Sequence, residues 1–281
     1  MPPAIALQPR ARLRSGAFLT SVLVWCFCLL WAATEAWAGS EEATNDAQFH
    51  APTEIAAWHA QVTQTLEGEG VRAAIIARSG RPRTKLPAGL LYVHSALLVH
   101  EPAQAADGTI TEGWFVYQLF RDADDKHHSH LSIQPLETFL AGSYEPDVGV
   151  LVPVPELQGP LIDAMRAHGQ ALHRPSYHLL ANPHRTEFDN CNTWLLRIMF
   201  VALYQTTDEA RLQAKLEAYF EPDVIELGFW YRVGGNLGNL LEYEDKGPNG
   251  YQTVTYRSFS QFLTKHRLLA GQHTFAITDP E

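Results

Sequence analysis

The sequence predicts an α+β protein in which helices pack on an antiparallel sheet. Apolar, β-prone runs alternate with turn residues in one set of segments, and apolar residues recur at helical spacing in another. Two consecutive β-prone runs, 90–100 and 114–120, are separated by turn residues, so we expect them to form an antiparallel hairpin. The order of these segments favours a layer of helices on the sheet.

The remaining elements follow from the same patterns, and we expect the chain to tail off after Leu269. Residues 48–205 are predicted to form the core of the domain, and residues 206–281 an α/β extension of it. The predicted strands are 71–77, 90–100, 114–120, 148–154, 224–233 and 252–256. The predicted helices are 54–66, 155–172, 191–204, 208–220 and 258–267.

Residues 1–38 have the pattern of a Sec-type signal peptide. Three arginines precede an apolar stretch at 16–33, which ends in a small-x-small pattern at 36–38. We expect cleavage after Ala38 and export to the periplasm, with no membrane span left in the mature chain. Residues 39–47 are polar and acidic, and are predicted to be a flexible N-terminus.

The net charge and the cysteine content of the chain limit the classes of function that it can have. Cleavage removes three of 21 basic and one of 31 acidic residues, so the net charge becomes −12, which disfavours nucleic acid as a partner. Cleavage also removes Cys26 and Cys28, so Cys191 has no intramolecular partner. An unpaired thiol in an oxidising compartment is either a reactive group or a small buried hydrophobe.

The position of Cys191 favours a reactive group. It stands where an extended segment turns into an apolar helix, and a helix N-terminus carries free N–H groups and a partial positive charge. These features lower the pKa of a thiol and can also hold an oxyanion. We therefore expect Cys191 to be a nucleophile with a lowered pKa.

A nucleophilic thiol needs a base, and His94 is the best candidate because it interrupts an apolar strand. Gln118, on the next strand, could hydrogen-bond the imidazole and fix its tautomer. Each has a plain alternative: a core histidine held by backbone, and a glutamine on an exposed strand face. His100 or Tyr117 could also orient the base.

Residues 92–96 and 116–118, followed by a cysteine that opens a helix, resemble the circularly permuted branch of papain-like, NlpC-type cysteine hydrolases. The resemblance covers about 88–205 and implies a permuted papain-like core, with Cys191 as nucleophile, His94 as base and Gln118 as orienter. Neighbouring residues are expected to contact substrate, namely Tyr92, Asn190, Asn192 and Trp194.

A closer resemblance covers most of the chain after the signal. Residues 177–183 and 186–196, with His94, 114–119 and 152–157, are similar to an exported bacterial family catalogued as domain of unknown function 2145. Many of its members carry serine in place of Cys191, which implies that some are inactive binding versions of a hydrolase fold.

Two other segments offer weaker signals. Residues 122–130 are rich in Asp and His, which suggests metal only by composition, and a solvated loop is the favoured interpretation. The glycines at 234–238 do not follow the dinucleotide-binding order. We therefore predict neither a metal site nor a cofactor.

These observations leave three hypotheses. The first is an exported cysteine-dependent hydrolase or acyltransferase that acts on an amide or ester of the cell envelope, such as a peptidoglycan peptide or a lipid. The second is an inactive envelope binding protein with the same fold. The third is a periplasmic metal-binding protein that uses residues 122–130.

Overall fold

The structure is a computed structural model that describes residues 49–104, 110–226, 246–247 and 250–277. The predicted signal peptide at 1–38, the predicted flexible segment at 39–47 and the glycines at 234–238 lie outside these ranges. No helix in the described ranges is long and apolar enough to cross a membrane.

Within these ranges, six strands form one antiparallel sheet. They are β1 (Ala73–Arg78), β2 (His94–Gln104), β3 (Ile110–Arg121), β4 (Ser129–Pro135), β5 (Asp147–Pro153) and β9 (Leu269–Ala276). Their order in the sheet is β4-β3-β2-β1-β5-β9. The predicted hairpin is present, since β2 and β3 pair from Leu97 opposite Tyr117 to Gln104 opposite Ile110.

The helices cover both faces of this sheet. On one face lie α1 (Pro52–Gly68) and α2 (Leu136–Ala141); on the other lie α3 (Pro155–Leu172), α4 (Cys191–Tyr204), α5 (Glu209–Tyr219) and α6 (Tyr256–Lys265). The α+β class with an antiparallel sheet and packed helices is therefore confirmed.

Strand β1 shows why helices pack on both faces of the sheet. Its side chains are apolar up to Arg78 and all are buried, although successive side chains point to opposite faces. Ile75 joins a cluster with α3 and α4, which we call the α4-side cluster, and Ile76 joins a cluster with α1 and α2, the α1-side cluster. A strand buried on both faces reads as a continuous apolar run.

The C-terminal region differs from the prediction. The chain does not tail off after Leu269, because β9 pairs with β5 along its length and buries Phe275 in the α1-side cluster. A second small sheet combines β6 (Asp223–Ile225), β8 (Gly250–Thr253) and β7 (Lys246–Gly247). The predicted strand 224–233 is thus observed only at its start, and residues 227–233 lie outside the described ranges.

Sequence reasoning also missed β4 and α2. The segment 122–130 was interpreted as a loop, but its last two residues, Ser129 and His130, already belong to β4, most of whose residues are only partly buried. Edge strands bury less apolar surface and therefore give a weaker pattern. Helix α2 has six residues, too few for a periodic signal.

Candidate active site

Helix α4 begins at Cys191 because Asn190 caps it. Asn190 has an extended backbone, and its side-chain oxygen accepts hydrogen bonds from the backbone N–H groups of Asn192 (3.0 Å) and Thr193 (2.9 Å). These are two of the N–H groups that a helix leaves without intrahelical partners. The cap therefore holds Cys191 in the first turn of the helix.

A buried ion pair also stabilises the first turn of α4. The carboxylate of Asp189 is fully buried and pairs with the guanidinium of Arg197, one helical turn and a half along α4. Asp189 also accepts hydrogen bonds from the hydroxyl of Thr193 (2.5 Å) and the N–H of Asn190 (3.1 Å). Sequence reasoning missed this pair, although an arginine inside an otherwise apolar helix was its signal.

The environment of Cys191 does not lower the pKa of its thiol, which is contrary to the expectation from the sequence. Its side chain is 3% exposed, and burial raises the pKa of the thiol to about 11, because a thiolate loses its hydration there. The N–H groups of Ser95 and Asn192 face the sulfur and act in the other direction, but they do not outweigh burial. The predicted lowering of the Cys191 pKa is therefore wrong for this structure.

His94 and Gln118 are brought together as expected. Atom Nε2 of His94 lies 2.7 Å from Oε1 of Gln118, and both side chains are buried. The β2–β3 ladder ends at Leu97 opposite Tyr117, so this bond joins the two strands beyond their last backbone pair. Because a carboxamide oxygen can only accept, Nε2 must carry the proton and Nδ1 must present its lone pair.

That lone pair has no partner in the part of the chain that the structure describes. Nδ1 of His94 is buried and without a hydrogen bond, while the ring stacks on Phe120 at 5.1 Å and contacts Phe139. Burial lowers the pKa of His94 to about 3, and the charge of Arg78 adds to this effect. His94 is therefore a neutral imidazole with an unused acceptor.

Cys191 and His94 approach the sheet from different layers. Cys191 belongs to the α4-side cluster, whereas the His94 ring packs on Phe139 of the α1-side cluster. The Cys191 sulfur lies near the start of β2, where the N–H of Ser95, the residue after His94, faces it. Successive side chains of a strand point to opposite faces, so the His94 imidazole lies on the other face of β2. Among the described residues, no hydrogen bond joins the thiol to the imidazole.

Two of the predicted substrate-binding residues have structural partners instead. The indole N–H of Trp194 donates to the carbonyl of Gly169 at 3.0 Å, in the packing of α4 on α3. The side chain of Asn190 caps α4, as described above, and its amide also donates to the carbonyl of Leu179 at 3.1 Å. Both side chains are buried, so they shape the site from inside the fold.

The structure is compatible with a substrate-binding role for the remaining two predicted residues, Asn192 and Tyr92. The amide of Asn192 donates to the carbonyl of Val254 at 2.9 Å, but its Oδ1 is buried without a partner among the described residues. The hydroxyl of Tyr92 donates to Asp147 at 2.9 Å, and its ring lines a small cavity.

The Asp- and His-rich segment forms separate pairs. His130 Nδ1 lies 2.5 Å from Asp122, and His128 Nδ1 lies 2.7 Å from Asp125. No group of three or more metal-binding side chains occurs in the ranges that the structure describes. These contacts give the metal-binding hypothesis no support.

Comparison with known proteins places the chain in a family. Residues 65–263 match the model of a family described as "Uncharacterized protein conserved in bacteria (DUF2145)". The match spans more than half of the chain, so this protein belongs to that family. Neither a search of curated proteins nor a search of solved structures gives a match.

Proposed function

We propose that this protein is a cysteine-dependent hydrolase or acyltransferase whose resting site is closed. One observation carries the proposal: Gln118 fixes His94 in the tautomer that leaves Nδ1 as an acceptor, and that acceptor is buried and unused. Ser95, the next residue, contacts the Cys191 sulfur. An oriented base and a helix-opening thiol are the two groups that nucleophilic catalysis requires, and the proposal needs them to be brought together from opposite faces of β2.

The chemistry would run in two steps. His94 Nδ1 takes the thiol proton while the sulfur attacks the carbonyl carbon of an amide or ester. The tetrahedral intermediate then expels an amine or alcohol, which receives that proton from His94, and a thioester on Cys191 remains. Water or a second acceptor, deprotonated by His94, attacks the thioester. The carbon–sulfur bond then breaks, the acid or the transferred product leaves, and His94 returns the proton to the Cys191 sulfur.

The resting state does not favour the first proton transfer. Burial raises the pKa of Cys191 to about 11 and lowers the pKa of His94 to about 3, so the proton stays on sulfur. Both effects come from loss of water around the charged forms. Substrate binding must therefore open or rearrange the start of β2, so that the imidazole and the thiol come into direct contact.

The test is formation of an acyl-enzyme with p-nitrophenyl acetate at pH 8. We expect acetylation of Cys191, located by peptide mass spectrometry and reversed by hydroxylamine. His94→Gln should slow acetylation at least tenfold, because general-base catalysis contributes on the order of 10²–10⁴ in rate. His266→Gln, at an exposed position outside the candidate site, is the control for the substitution and should acetylate at the wild-type rate.

Two results would overturn the proposal. One is no acetyl group on Cys191 in folded protein, when the unfolded protein is acetylated under the same conditions. The other is equal acetylation of wild type and His94→Gln, since the imidazole would then have no role.

The second candidate function is a binding protein that keeps this fold without catalysis. The burial of the Cys191 sulfur favours it, because a thiol at 3% exposure behaves as a small hydrophobe. In that case Cys191→Ser should keep the function of the protein in its host, whereas the hydrolase proposal expects that function to be lost.

We further propose that the site works outside the cytoplasm, after removal of residues 1–38. The signal-peptide pattern and the resemblance to permuted NlpC-type hydrolases support this, and suggest a peptidoglycan peptide or a lipid ester as substrate. N-terminal sequencing of periplasmic protein should give Gly39 as the first residue. An N-terminus upstream of Gly39 would contradict cleavage there.

A further inference from the structure

A cavity lies between α3 and the last turn of α4, at the opposite end of α4 from Cys191. Its volume is about 490 Å³, within the range of about 300–1,000 Å³ that is usual for ligand sites. Helix α4 has 14 residues, so at about 1.5 Å per residue its two ends lie about 20 Å apart. The cavity is therefore separate from the candidate site at Cys191.

One face of α3 forms a wall of this cavity. The lining residues of α3 follow one another at intervals of three, one, three and one, which is the spacing of side chains that share a helix face. Asp163 and His168 supply the polar groups of this face. Its apolar surface comes from Pro160, Ala164 and Ala167.

The carboxylate of Asp163 is available to a ligand. Among the described residues it has neither an ion pair nor a hydrogen bond, and Arg166, the single arginine of α3, pairs with Glu101 instead. Apart from His168, the described lining contains no side chain that can carry a positive charge. The wall therefore presents a negative charge that a cation can pair with.

The end of α4 adds to this negative potential. Val201 and Gln205, in the last turn and at the C-cap of the helix, also line the cavity. The C-terminus of a helix carries about half a negative elementary charge on its unpaired carbonyls. The side-chain N–H of Gln205 donates to the carbonyl of Ala202 at 2.8 Å, so its side-chain oxygen remains as an acceptor.

We propose that this cavity binds a ligand that carries a primary ammonium group on a small apolar body. The ammonium pairs with Asp163 in the negative field at the end of α4, and the apolar body packs on Ala164, Ala167 and Val201. An anion would be repelled by Asp163. A metal ion fits less well, because no group of three metal-binding side chains occurs in the described ranges.

The test compares two probes with the same apolar body. One is 2-phenylethylamine, which is an ammonium ion at pH 7, and the other is uncharged 2-phenylethanol. Saturation-transfer NMR at low ionic strength should show saturable binding of the amine, at least threefold tighter than that of the alcohol. Asp163→Asn should raise the dissociation constant of the amine roughly three- to fivefold, the effect of one partly exposed ion pair.

Two further variants separate the cavity from the general charge of the protein. Glu156→Gln, at an exposed position of α3 outside the cavity, removes one negative charge as Asp163→Asn does, and should leave the dissociation constant unchanged. Ala167→Phe, at an exposed position of the lining, places a ring in the cavity and should abolish binding.

Absence of saturable binding of the amine by the wild type, or equal constants for the amine and the alcohol, would overturn the inference. An equal rise with Asp163→Asn and Glu156→Gln would do so as well, because the net charge of the protein would then explain the effect. Failure of Cys191 acetylation alongside Asp163-dependent binding would defeat only the proposed hydrolase function.

Discussion

His94 shows how burial can set the protonation of a single residue. Its ring lies between Phe120 and Phe139, with one nitrogen bonded to Gln118 and no carboxylate among the causes of its pKa shift. In the folded protein the His94 imidazole is therefore neutral at any pH above about 3. Its basicity is available only when water or substrate reaches it.

This burial predicts that the protein loses stability in mild acid. Below about pH 6.5 the unfolded chain protonates His94, whereas the folded chain, with the His94 pKa near 3, does not. The unfolded state then binds more protons, so the free energy of unfolding falls as pH decreases from 6.5 toward 3, by about 1.4 kcal/mol per unit.

The measurement is urea unfolding at pH 7 and pH 5 for wild type and His94→Gln. Between these two values wild type should lose roughly 2 kcal/mol more than the variant. The exposed His266→Gln is the control for the substitution and should behave like wild type. Equal pH dependence of wild type and His94→Gln would show that His94 is not buried as a neutral group.

At the scale of the element, α4 depends on its first turn. Asn190 accepts two backbone N–H groups of the helix and donates to the preceding loop, all within the core. Asp208 caps α5 with one hydrogen bond, to the N–H of Arg211, at the surface. The two caps have the same chemistry and differ in burial and in number of bonds.

Asn190→Ala should therefore cost about 2 kcal/mol of unfolding free energy, and Asp208→Ala about 0.5–1 kcal/mol. Urea unfolding of the two variants gives both values. The larger cost reflects buried N–H groups that water cannot reach once the cap is gone. A smaller loss for Asn190→Ala than for Asp208→Ala would mean that Cys191 is not held by this cap.

At the scale of the whole molecule, β9 closes the sheet over α1. Phe275 is 4% exposed within the α1-side cluster, and the indole of Trp58 donates to its carbonyl at 3.1 Å. The last described strand thus joins the first described helix, 217 residues away in sequence.

Phe275→Ala should lower the free energy of unfolding by about 3 kcal/mol, because a buried ring leaves a cavity that the neighbours fill only partly. Gln272→Ala, at an exposed position of the same strand, should change it by less than about 0.5 kcal/mol. Thermal or urea unfolding is the measurement. A loss below about 1 kcal/mol for Phe275→Ala would place β9 outside the cooperative core.

The sequence predicted the main helices and central strands because their signals are local. Helix α3 matches its predicted bounds, and α4 begins at the predicted residue, since Pro155 and Asn190 mark their starts. Strand β9 was missed because its side chains are mostly exposed or half-buried, and its identity depends on pairing with β5. The His94–Gln118 hydrogen bond was expected from strand order, and the structure contains it.

By itself, the sequence determined the α+β class, the family resemblance and the selection of Cys191, His94 and Gln118 as candidate site residues, because residue type and periodicity are local properties of the chain. Only the tertiary structure decided the protonation states of Cys191 and His94. A helix N-terminus favours a thiolate in water-accessible sites, but here α4 begins inside the core. Desolvation depends on every segment that packs around the sulfur and the imidazole, so it raises the Cys191 pKa and lowers that of His94.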